Sequence, residues 1–141
     1  MRARRYLAVL GAIGLSVPMA AQTVNIRPGK YEVTVEWNMP EMRMPMPPQK
    51  NEECITSNEA TDVKAALEAA AKTNPQLECK VSDLKWSGNT VRFTQTCKNG
   101  VYKSELTYGG DSFVGVSKGQ DSGGRAFTVK TNAKRIGDCM K

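Results

Sequence analysis

Four cysteines and no histidine set the first constraint on this chain, and its amino terminus decides how they are read. Arg2, Arg4 and Arg5 precede an apolar run from Tyr6 to Val17, which closes at Pro18 and the small residues Ala20 and Ala21. Basic residues, an apolar core and a small-residue cleavage site are the three parts of a secretory signal peptide. Residues 1–21 are therefore expected to be cleaved, leaving one domain over 22–141. An uncleaved anchor is the alternative, but the run is shorter than the ~18 residues a spanning helix needs and no other stretch approaches that length. No stable membrane span is expected after cleavage. The expected location is the periplasm, where an even cysteine count reads as a disulfide framework. Zinc is the competing use of four cysteines, but C-x-x-C spacing and histidine are both missing.

Local geometry selects one pairing of the three available. "CKVSDLKWSGNTVRFTQTC" reads as a hairpin turning at Ser87 to Asn89 around Gly88. In that register Trp86 faces Thr90 and Cys79 falls opposite Cys97, within bridging range. Cys54 is left to pair with Cys139.

The rest of the pattern is strand, turn, strand. "KYEVTVEW" alternates Tyr31, Val33, Val35 and Trp37 with polar residues, the form of a half-buried strand. "QKNEECIT" is a second strand placed to pair with it. Thr56 and Glu59 then form a capping pattern ahead of Ala60, Val63, Leu67 and Ala70, so a single helix is expected up to Pro75. Five further strands are expected at 78–86, 90–98, 101–108, 112–118 and 125–133, with turns at Asn99-Gly100, Gly109-Gly110 and Gly123-Gly124. The fold class is α+β, mostly β: a curved antiparallel meander with one helix on its concave face, open or closed part-way into a barrel. Asp83 and Lys85 share the face of Val81, which a bulge or an exposed edge would reconcile. Tyr31, Trp37, Trp86, Phe93, Tyr102, Tyr108, Phe113 and Phe127 fall across these strands and are expected to pack the core.

The blocks "RPGKYEVTVEW", "MPEMRMPMPPQ", "EECIT", "YGGDSFVG" and "AKRIGDC" follow one another from about Ile26 to Cys139. In that order the chain resembles the domain of unknown function family 3617, small exported proteins of Gram-negative bacteria. The resemblance implies an envelope location and a β-rich domain. It brings no reaction and no catalytic or binding residues.

Without histidine the chain lacks the commonest general base near neutral pH and the usual partner of a serine or cysteine nucleophile. Oxidised cysteines leave no thiolate. Glu52 and Glu53 are adjacent and would point to opposite faces of a strand, and Asp111 sits at a glycine turn where aspartate usually bonds local backbone. The glycines punctuate strands and cradle no phosphate at a helix start. Non-catalytic behaviour without a cofactor is the expectation, and an enzyme of unfamiliar design built on Glu53 or Asp111 is the outside alternative. Cleavage would remove three arginines from a formal charge of +6, and no Lys/Arg cluster interleaves with aromatics, so nucleic acid is not expected as a partner.

Residues 39–49, "MPEMRMPMPPQ", hold Met39, Met42, Met44 and Met46 among Pro40, Pro45, Pro47 and Pro48. As a connector, the segment would cross the end of the sheet at little entropic cost. As a recognition surface, its methionines with neighbouring Trp37 would meet an envelope protein or an apolar small ligand. As a soft-metal site, the four thioethers would select Cu(I) or Ag(I). Polyproline II geometry spreads the sulfurs around the axis, so they converge only if the segment bends. The working expectation is a periplasmic binding or interaction module, with Trp37, Met39, Met42, Met44 and Met46 as candidate contacts and metal binding as the alternative.

Overall fold

Alternating apolar and polar residues over Gly29–Asn38 form strand β1 in the computed structural model, which describes residues 23–140. The expected signal peptide, 1–21, lies outside the described residues. Six more strands follow: β2 (Gln49–Ile55), β3 (Lys80–Ser87), β4 (Thr90–Cys97), β5 (Gly100–Tyr108), β6 (Ser112–Asp121) and β7 (Ala126–Gly137). All are antiparallel in one open sheet of order β2-β1-β7-β6-β5-β4-β3. From β3 to β7 the sheet is the expected meander. It is completed by β1, which inserts between β2 and the last strand in register Val33 to Ala133 and Trp37 to Val129.

Because successive strand residues point to opposite faces, this register puts all eight strand aromatics on one side. Tyr31, Phe93 and Phe127 are buried there, with Val33, Val91 and Ala133. Trp86, Tyr108 and Phe113 pack against the same cluster, partly exposed. Tyr31 is fully buried, and its hydroxyl donates to the Arg27 carbonyl at 2.6 Å, so the polar end is satisfied where the ring is not solvated. Val24 and Ile26 close one end of the cluster, held by backbone bonds from Arg27 N–H to the Gly110 carbonyl and from Gly110 N–H to the Asn25 carbonyl.

The helical segment differs from the single helix expected. Thr56 and Glu59 form the capping box, with Glu59 N–H donating to Thr56 Oγ1 at 3.3 Å and Thr56 N–H to Glu59 Oε2 at 2.7 Å. The helix they start, α1 (Ser57–Thr61), ends at Asp62, whose carboxylate accepts from Ala65 N–H at 3.0 Å and starts α2 (Val63–Ala71). An aspartate side chain competes for backbone N–H groups, and here it resets the helix axis. The buried stripe is correspondingly Ala60, Val63 and Ala71, with Leu67 partly buried, and Ala70 is exposed. Spacing four residues apart from Val63 leads to Ala71, where the sequence reading had Ala70.

The β3–β4 hairpin corrects its expected register and keeps the disulfide. Ser87 pairs with Thr90 and Trp86 with Val91, one residue away from the expected alignment at the turn. A bulge between Ser82 and Lys85, with Asp83 at φ 55°, absorbs that residue, so Lys80 meets Thr96 and Cys79 meets Cys97. The same bulge turns Val81, Leu84 and Trp86 to the core and Lys85 away from it.

Both disulfides are formed, Cys54–Cys139 and Cys79–Cys97, across sequence separations of 85 and 18 residues. Loop-closure entropy assigns about 4.5 and about 3 kcal/mol to them. Urea denaturation should therefore show Cys54→Ala/Cys139→Ala losing more stability than Cys79→Ala/Cys97→Ala, by about 1.5 kcal/mol. The reverse order would mean that the unfolded chain is not the one that loop closure describes.

Candidate functional site

Proline at four positions keeps residues 39–48 out of the sheet, since proline has no N–H to donate to a ladder, and β2 begins at Gln49. The chain leaves β1 at Asn38 and bends at once: Met42 N–H donates to the Met39 carbonyl at 3.0 Å, closing a turn over Pro40 and Glu41. That turn supplies the bend without which the methionines would diverge. Trp37, Met39, Met42, Met44 and Met46 all line one pocket of about 450 Å³, completed by Asn38, Pro40 and Pro45. Every sequence-nominated contact is thus brought together. Met44 is 77% exposed, so the apolar lining is open to solvent and not packed into the core.

Trp37 joins this pocket to the sheet. Its ring lies 6.3 Å from Phe127, which lies 4.8 Å from Tyr102. Phe127 is buried because β6 carries Gly119 beneath it: a Cβ there would stand 3.1 Å from the Phe127 ring and would also collide with the Val101 carbonyl. Sequence reading assigned these aromatics to the core and did not connect Phe127 and Tyr102 to the segment. The cross-strand alignment that does so joins residues about ninety positions apart.

The carboxylates are dispersed. Asp111 forms an exposed ion pair with Arg27 at 2.9 Å and borders a shallow groove with Glu32, Lys134 and Arg135. Glu53 accepts from Asn51 Nδ2 on β2 and does not line that groove. Glu52 is on the opposite face, paired with Lys30. Asp121 is held below the usual carboxylate range by the backbone N–H of Arg125, and by the Arg125 guanidinium and Gly123 N–H, in a local turn. Among the described residues no three His, Cys, Asp or Glu side chains cluster as a metal site.

An open, disulfide-stapled antiparallel sheet capped by two short helices is therefore the class of protein defined here. The chain belongs to the family described as protein of unknown function (DUF3617), whose model matches residues 26–139. No curated protein and no solved structure matches it. Among the described residues no helix is long and apolar enough to cross a membrane.

The most perturbed titratable group is Tyr108, beside Phe113 on the aromatic face, where burial pushes its hydroxyl up to about 12. A phenol whose folded value lies above its unfolded value of about 10 contributes fully below pH ~10 and loses that contribution as the pH rises to about 12. Tyr108→Phe should accordingly lose about 2 to 3 kcal/mol less stability than the wild type between pH ~9 and ~12, read by urea denaturation at each pH. Equal losses would show that Tyr108 does not drive alkaline unfolding.

Proposed function

We propose that this chain is a periplasmic, non-catalytic binding or interaction module, exported by a cleaved signal peptide and working through the Met/Pro segment with Trp37. One observation carries the reading: Trp37 and all four methionines of 39–49 border a single pocket. Methionine is unbranched and polarizable, so it adapts its shape to an apolar guest, and proline lowers the entropy lost when the segment orders around one. The pocket volume suits a small apolar ligand or one apolar side chain of an envelope protein. Histidine is absent and the carboxylates are scattered, which supports binding over catalysis.

The same convergence favours a second reading, in which the four thioethers hold Cu(I) or Ag(I). One set of variants separates the two. The neutral dye Nile red should bind with a blue-shifted emission, and Met39→Leu/Met42→Leu/Met44→Leu/Met46→Leu should retain it because apolarity and approximate shape are kept. Trp37→Ala should weaken dye binding about tenfold or more, the loss of one large apolar wall. Native mass spectrometry with Cu(I) supplied under reducing control gives the other arm. A copper adduct abolished by the leucine set would transfer the function to the metal, and dye binding indifferent to Trp37 would remove the pocket from it.

A further inference from the structure

The face of the sheet opposite the aromatics carries a separate signal. In-register residues share a face, and there the β strands present Lys80, Lys85, Lys103, Lys118, Lys130 and Lys134. None of the six forms an ion pair among the described residues, where the only other cations without one are Arg43 and Lys72. The same face also carries the ion pairs Lys30–Glu52, Lys50–Glu32 and Arg92–Glu105, and beside them these six lysines stand open.

The arrangement also works against the fold. Lys103 stands directly opposite Lys118, and Lys85 opposite Arg92, and like charges directly across a ladder destabilise it. Only Arg92 is relieved, by Glu105 at 2.7 Å. Lys85, Arg92, Lys103 and Lys118 line a groove of about 880 Å³ whose carboxylates are Glu105 and Asp83. Glu36 faces Lys130 and Glu32 faces Lys134 in register, neither forming an ion pair with that lysine, and Glu32 is paired with Lys50 instead.

We infer that this face docks onto the anionic headgroup layer of a phospholipid leaflet. Charge complementarity requires an anionic partner, and the form of the face selects an extended one. Seven strands span roughly 30 Å, and the six open cations are spread over four of them, β3, β5, β6 and β7. All six are lysines, mobile point charges that suit a diffuse, laterally rearranging set of phosphates, where a single fixed anion would be matched by the planar fork of arginine. No aromatic residue lies on this face to stack on sugars or bases, whereas exposed Val101, Val114 and Val116 stand among the lysines as apolar contacts. The surface is separate from the Met/Pro pocket, and the inference does not depend on a ligand there.

Vesicle co-sedimentation of the oxidised protein tests it. The protein should pellet with vesicles of phosphatidylcholine mixed with phosphatidylglycerol, stay in solution with phosphatidylcholine alone, and be released by added salt. Lys103→Gln/Lys118→Gln should weaken partitioning about 25-fold, near fivefold per lysine. Lys64→Gln/Lys72→Gln, which removes the same charge at α2, should leave partitioning unchanged. Circular dichroism confirms that each variant is folded. Sedimentation with neither vesicle, equal sedimentation with both, or equal loss in the two variants would overturn the inference. Retention on heparin without sedimentation on the anionic vesicles would overturn the lipid assignment in favour of a soluble polyanion.

Discussion

The pairing of β1 with β7 holds the remaining parts in place. It joins Gly29–Asn38 to Ala126–Gly137, residues about a hundred positions apart, so the chain must close its longest loop before the central strands are all covered. Once it forms, Tyr31 and Val33 enter the aromatic face beside Ala133 and Phe113. The segment at Val24 and Ile26 is then drawn over the turn at Gly110. Cys54–Cys139 fastens the same region from the other side, since β2 pairs with β1 and Cys139 follows β7. The other five pairings join consecutive strands, so β1–β7 carries the largest loop-closure cost, and the covalent link acts on the unfolded chain, where that cost arises.

The same pairing sorts the chain chemically. Strand alternation sends the aromatics to one side and the lysines to the other, and the small core is completed by short helices that bring only Ala60, Val63, Leu67 and Ala71. Trp37 lies where these arrangements meet: it belongs to the aromatic face by register, yet it stands at the end of β1 and forms a wall of the Met/Pro pocket. A binding surface there would rest on a strand residue and be lined by methionines, whose unbranched side chains adapt to an apolar guest. The two proposed surfaces lie on different parts of the sheet, which leaves a membrane-docked molecule free to offer its pocket.

Much of the architecture was legible in the residues. The alternation of β1, the glycine turns of the meander, the capping box at Thr56 and Glu59 and the Cys79–Cys97 pairing follow from local pattern, because each concerns neighbours in sequence or a hairpin of fixed length, and Cys54–Cys139 then follows by elimination. The misses have equally local causes. The β3–β4 turn is tighter than read, and the bulge at Asp83 compensates, two deviations that cancel at the cysteines and so left the disulfide intact. Asp62 divides the helix because its carboxylate can cap as well as solvate, a choice that composition alone does not make.

By itself, the sequence determined the class of fold, its staples and the residues of the Met/Pro segment, since periodicity, turn chemistry and cysteine spacing act over short range. Tertiary structure decided two things. The methionines share a pocket because one turn at Met39–Met42 overrides the extended preference of the prolines. Six lysines scattered from position 80 to 134 become one cationic face because strand register adds their positions side by side. Neither outcome is written in any short stretch of chain, for both depend on contacts whose free energy exists only after the sheet has closed around β1.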